Sequence, residues 1–230
     1  MLERAARTYF APAAALQGVT SVTLRITLAG LALAVLTICA TPAFAASSPA
    51  ATVESKLEYS FIPEDFVVPT AAEGSGFKLV PLGPDLVKVD FDAYMSSIEH
   101  LQKTFSRSTD WPHKDISDAD AMRDMETEQA RFENRESFAY AVLTPDGSRE
   151  RGCVYVYPGT VEGYDAVVRM WVTKAEYDAG FDAELYKWGR RWMQTDWPFE
   201  KVAYPGRAIE WSKWDSIVAA NKTGQDHQNP

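Results

Sequence analysis

From Phe77 to Ala220 the apolar positions repeat with two periods, one of strands and one of helices. FKLVPL, residues 77–82, has strand character and stops at Gly83-Pro84. Asp90 then stands where a helix cap belongs. Behind it Phe91, Tyr94, Ile98, Leu101 and Phe105 form one apolar stripe at helical spacing. Ser117 is placed to cap a second helix, with Asp118 and Asp120 in its first turn, where negative charge suits the helix dipole. Met122, Met125 and Phe132 give that helix an inner face.

Three strand candidates follow: SFAYAVLT (137–144), RGCVYVYPG (151–159) and YDAVVRMWVT (164–173). The first two are joined as a hairpin across Pro145-Asp146-Gly147. A helix then carries Phe181, Leu185, Trp188 and Trp192 on one face. KVAYPG (201–206) reads as a short strand and IEWSKWDSIVAA (209–220) as a closing helix. The order is β-α-α-β-β-β-α-β-α. It predicts an α+β domain over 77–220, with a mixed, mostly antiparallel sheet flanked by helices.

The N-terminal third follows another pattern. Arg25 precedes the 15-residue apolar run ITLAGLALAVLTICA, which is followed by Ala43-Phe44-Ala45. The run is shorter than the roughly 20 residues a spanning helix needs. The small-x-small ending matches a secretory cleavage site, so residues 1–45 read as a signal peptide. A membrane anchor or a buried helix is the competing reading, and Pro42 argues against both. Residues 46–76 read as a leader, with LEYSFIPEDFVVP (57–69) lying along the domain surface and Glu73-Gly74-Ser75-Gly76 marking the boundary. Residues 221–230 read as a disordered polar tail. The expectation is an exported protein, periplasmic or secreted, with no stable membrane span.

Cleavage after Ala45 leaves Cys153 as the one cysteine, so no disulfide forms within the chain. Formal net charge is −9, and residues 1–45 are themselves basic. The remainder repels polyanions, which excludes nucleic acid as a charge-driven partner.

Candidate chemistry is sparse. His100, His113 and His227 lack metal-ligand spacing and no Cys-x-x-Cys exists, so no metal is expected. His100, near a helix end, reads as a surface residue, while His113 could line a cleft. By strand alternation Cys153 shares a face with Tyr155, Tyr157 and Arg151, which leaves open both an activated thiol and a buried inert one. Trp188, Trp192 and Trp197 read as core, with Arg190 and Arg191 on the solvated side. Trp211 and Trp214 dock the last helix.

The phrases FAYAVLTPDGSRERGCVYVYP, VVRMWV and WPFEKVAYPGR, in this element order, resemble the GNAT superfamily of acyl-CoA-dependent N-acetyltransferases over about 130 residues, Phe77 to Arg207. The resemblance implies acetyl-CoA as cofactor and transfer of its acyl group to an amine on a small molecule or protein. It implies that Val167–Val172 splays from its neighbour to pair with the pantetheine arm, and that the next loop holds the pyrophosphate on backbone amides. It thereby nominates Trp171, Val172, Thr173, Lys174 and Gly180 as cofactor-binding residues and leaves the catalytic residues open.

Two features depart from that pattern. Gly180 is the one glycine of the loop, among Glu176, Asp178 and Asp182. At about 5 Å and an effective dielectric near 20, each carboxylate would oppose a phosphate charge by roughly 3 kcal/mol. The segment Ala208–Ala220 also lacks the tyrosine many members use as an acid. A second function therefore stands beside transfer: an exported, non-catalytic module that kept the fold and lost the pyrophosphate loop.

Overall fold

The computed structural model describes residues 61–226. Six strands form one sheet in chain order: β1 (Ala72–Gly74), β2 (Phe77–Pro81), β3 (Phe138–Leu143), β4 (Glu150–Pro158), β5 (Ala166–Val172) and β6 (Val202–Ala203). Neighbours are antiparallel from β1 to β5, and β6 is parallel to β5. Six helices accompany them: α1 (Val87–Met95), α2 (Ile98–Leu101), α3 (Asp118–Glu133), α4 (Lys174–Asp178), α5 (Phe181–Asp196) and α6 (Trp211–Asp226). This is the expected α+β, GNAT-like architecture, with one strand and two short helices more than the hydrophobic pattern showed.

One face of the sheet is apolar. Phe138, Tyr140, Val142, Val154, Val156, Val168 and Met170 pack with Phe181, Leu185, Trp192 and Met193 of α5 in a single buried cluster. The stripe on α5 is thus core, as its spacing predicts. Tyr140, Trp192 and Trp197 meet edge to face, with Tyr140–Trp192 centroids 5.2 Å apart. Such pairs add to simple area burial.

The other face carries α1 and α3. Ser117 caps α3 through a reciprocal bond with Asp120, as expected for a capping box. The first helical segment differs from its prediction. It begins at Val87, breaks after Met95, resumes at Ile98 and ends in a wide turn over Gln102–Ser106. Asp90 is therefore no cap. It sits in the first turn of α1 at 4% exposure.

Two boundaries also move. Within 73–76, Glu73 and Gly74 end β1 and Ser75-Gly76 turn the β1–β2 hairpin, with Gly76 supplying its left-handed residue. Upstream, Ile62 is buried in the core and Phe61 stacks on Phe199. Arg135 and Tyr140 donate to the carbonyls of Pro63 and Pro69, fixing this stretch to the domain. At the other end α6 runs through Asp226, six residues into the predicted tail. The signal-peptide reading of residues 1–45 lies outside the described residues. Among the described residues no helix is long and apolar enough to cross a membrane.

Strand β4 carries the one irregularity that matters for chemistry. Val142 pairs with Gly152 but Leu143 pairs with Glu150, so Arg151 is an extra residue in the ladder. The bulge reverses the face of everything before Gly152. Glu150, not Arg151, joins Cys153 beneath α1. Arg151 turns to the opposite side, its guanidinium 3.4 Å above the Phe181 ring and bonded to Glu176. The alternation that paired Arg151 with Cys153 fails for this reason. Gly152 is required here: a Cβ would lie 2.0 Å from the Trp171 carbonyl oxygen.

Candidate functional site

Strands β5 and β6 pair only at Ala166–Val202 and Val167–Ala203. Beyond that point the chain leaves β5 through Tyr204-Pro205-Gly206, and the strands diverge. The gap is a cavity of about 340 Å³, lined by Arg169 to Val172 on one side and Pro205, Gly206, Arg207 and Trp211 on the other. His100, Lys103 and Phe105 close it from the helical layer, and Tyr177 and Asp182 stand at its edge.

The charge of this cleft is opposite to that of the chain. Arg169, Arg207 and Lys103 line it against the single carboxylate of Asp182. Arg169 lies 4.5 Å above the Phe105 ring and 5.3 Å above Trp211, and donates to the Phe105 carbonyl. Burial holds its pKa below the ordinary arginine value. Arg107 covers Trp211 at 4.1 Å and is held there by both oxygens of Asp215. Trp211 is therefore an aromatic wall with cations on it.

Arg207 is the central group. Its guanidinium makes a two-point ion pair with Asp182, at 2.7 and 2.8 Å, and donates to the Met170 carbonyl at 3.3 Å. It thus spans the splay from the β6 side to the β5 backbone and the N-terminus of α5.

The predicted cofactor residues are distributed unevenly about this cleft. Trp171 and Val172 line it, although the Trp171 indole points into the helical face and donates to the Tyr155 hydroxyl at 3.3 Å. Thr173 caps α4 by accepting from the Glu176 amide. Lys174 pairs through its amine with Asp178. Gly180 takes a left-handed conformation between α4 and α5. His100, read from sequence as a surface residue, is half-buried in the cleft wall 4.9 Å from the Tyr177 ring. Burial and then Lys174 lower its pKa, which favours the neutral imidazole. His113 instead accepts from the Asp115 amide within its own loop, away from the cleft.

The segment after β5 is crowded with carboxylates and paired cations. Several of its amides are engaged: Lys174 donates to Ser97 Oγ, Tyr177 to the Thr173 carbonyl, Ala179 to Ala175 and Gly180 to Tyr177. Its cations are used too. Lys174 serves Asp178, Arg149 and Arg151 serve the buried Glu176, and Arg207 serves Asp182. Lys187 and Arg190, the other cations nearby in sequence, stand farther along α5. A phosphate cradle needs a positive field beside its amides, and here Lys174 and Arg207 are paired with Asp178 and Asp182.

No family model and no curated protein matches the sequence. Solved structures similar to it include the ribosomal-protein-S5-alanine acetyltransferase from Vibrio fischeri, at 12% identity over 66% of this chain and 81% of that chain, with a TM-score of 0.47. An acetyltransferase from Thermus thermophilus is similar at 14% identity over 51% of this chain and 69% of that chain, with a TM-score of 0.39. The order of the strands, the parallel sixth strand and the splay beside it give this chain its GNAT-like fold.

Proposed function

We propose that this protein is a non-catalytic binding module of GNAT-like fold, exported by its N-terminal segment, whose β5–β6 cleft takes a small anionic molecule in place of acyl-CoA. One observation carries the reading: the Arg207 guanidinium, bound to the Met170 carbonyl and Asp182, crosses the place where the fold would admit a thioester arm. The surplus of arginine and lysine around Trp211 suits a planar carboxylate, which a cation can bond and an aromatic wall can stack. Export, proposed with it, would part the cleft from acetyl-CoA, a cytoplasmic metabolite.

The test is thermal unfolding of the protein with benzoate, and of Lys103→Ala, which removes a cleft cation that serves no carboxylate among the described residues, beside it. A ligand that binds only the native state raises the midpoint. Benzoate should stabilise the parent protein and leave the variant unmoved. Equal response of both, or none from the parent, contradicts the role given to the cleft.

A second reading is acyl transfer from acyl-CoA to an amine, and the splay of β5 from β6 favours it. It would place the arm against Trp171 and Val172, with Thr173, Lys174 and Gly180 beyond. Turnover of radiolabelled acetyl-CoA with small amines and basic peptides separates the two, and the binding reading expects none.

A further inference from the structure

Beneath α1, on the face of the sheet opposite α5, three groups able to bind metal converge. Cys153 Sγ lies 2.9 Å from Glu150 Oε1 and 3.7 Å from Asp90 Oδ1. One donor atom from each residue fits within 4.8 Å of the other two. None is exposed beyond 4%. They come from two elements, Asp90 from α1 and the others from β4, and the bulge at Arg151 is what brings Glu150 into the set.

The cluster is short of positive charge. The groups bearing most strongly on Asp90 are Glu150, Cys153, Asp124 and Glu128, with no lysine or arginine among them. The same is true for Glu150 and Cys153. Burial drives all three towards their neutral forms, moving the Asp90 carboxyl up to about 7. Isolated buried carboxylates are costly unless paired or bound to a cation.

Two further atoms point to a missing partner. Glu150 Oε2 is buried without a hydrogen bond, and so is the Tyr94 hydroxyl, one turn along α1 from Asp90. Both residues are more than nine-tenths buried. Asp90 and Glu150 share a hydrogen bond with each other, so one carboxyl proton and the Cys153 thiol hydrogen are all that offset the two acids.

We propose that Asp90, Glu150 and Cys153 form a three-residue site for one zinc ion that ties α1 to β4. The donor set suits a borderline-soft divalent ion, since a thiolate disfavours magnesium and calcium. With Zn–S near 2.3 Å and Zn–O near 2.1 Å, a tetrahedral edge between sulfur and oxygen is about 3.6 Å. The Cys153–Asp90 separation already matches. A turn of the Glu150 carboxylate, whose second oxygen is unengaged, supplies the third ligand. The ion enters as protons leave the thiol and the carboxyls for solvent. Three ligands leave a fourth position for water.

The experiment is a titration of the chelator-treated full chain with zinc, repeated with cobalt and read by absorbance. The expected result is uptake of one ion per chain, release of protons, a raised unfolding midpoint, and a thiolate-to-cobalt charge-transfer band in the near ultraviolet. Cys153→Ser should lose that band, and Asp90→Asn and Glu150→Gln should each weaken zinc binding by at least about tenfold. No uptake by the parent chain at about tenfold excess of zinc overturns the site. So does a cobalt complex without the thiolate band, or undiminished zinc affinity in Cys153→Ser. The parent titration decides the matter even where a variant does not fold.

Discussion

The two faces of the sheet use burial in opposite ways. Against α5 the residues are nearly all hydrocarbon and aromatic ring, and the contacts repeat at the spacing of a helix on a pleated surface. On the face towards α1 and α3 the same sheet buries Glu150, Cys153 and Tyr155, and α1 adds Asp90. A packed apolar face stabilises without specifying any chemistry. A face that buries ionisable groups loses stability for each one lacking a partner, so its polar groups mark where a ligand or ion would be felt.

The comparison can be broken most severely on the apolar side. Trp192, 3% exposed and against Tyr140 and Trp197, should cost about 3–5 kcal/mol when replaced by alanine, read as a fall in the denaturant midpoint. A loss below about 1 kcal/mol would mean that α5 is not the organising helix of the core. Gly152→Ala comes next. Its methyl would meet the Trp171 carbonyl oxygen, so β4 and β5 must part, and overpacking of this kind costs about 1–3 kcal/mol. The same variant should weaken the zinc site, because the bulge that turns Glu150 under α1 adjoins it.

A third test lies between the faces, at Glu176. Burial opposes its charge, but hydrogen bonds from Arg151 and Arg149 outweigh that and lower its pKa. Folding therefore favours the carboxylate. Its stabilisation is complete above the ordinary glutamate value of 4.5 and fades as pH falls through the lower folded value. Glu176→Gln should cost about 2 kcal/mol at neutral pH, and the gap to the parent should close in acid. A gap that widens on acidification would contradict the ion pairing. Smallest is Ser117→Ala, which removes the α3 cap and should cost about 1 kcal/mol at any pH where Asp120 is charged.

Much of the apolar face was legible in the sequence because its two periods are unbroken there. Strands β3 and β5 and the stripe Phe181, Leu185, Trp192 follow directly from alternation and helical spacing. The polar face was not, for definite reasons. Alternation counts residues by twos, and one bulged residue, Arg151, exchanges the sides of Glu150 and Arg151. Asp90 heads an apolar stripe, the usual place of a cap, and nothing local shows that α1 starts three residues earlier and carries it inward. The turn of the β1–β2 hairpin has the composition of a linker, and β1 is only three residues long, too short for alternation to show it. In the cleft, the carboxylates of the loop after β5 were visible as a poor phosphate site. That Arg207 reaches across 25 residues to Asp182 is a tertiary fact with no local signal.

What we propose turns on that arginine and the loop beside it: splayed strands without a seat for a diphosphate. Isothermal titration of the protein with acetyl-CoA up to about 1 mM tests this most directly. No saturable heat is expected from the parent protein. One-to-one binding tighter than about 100 μM, abolished by a bulky residue at Gly180, would contradict the proposal.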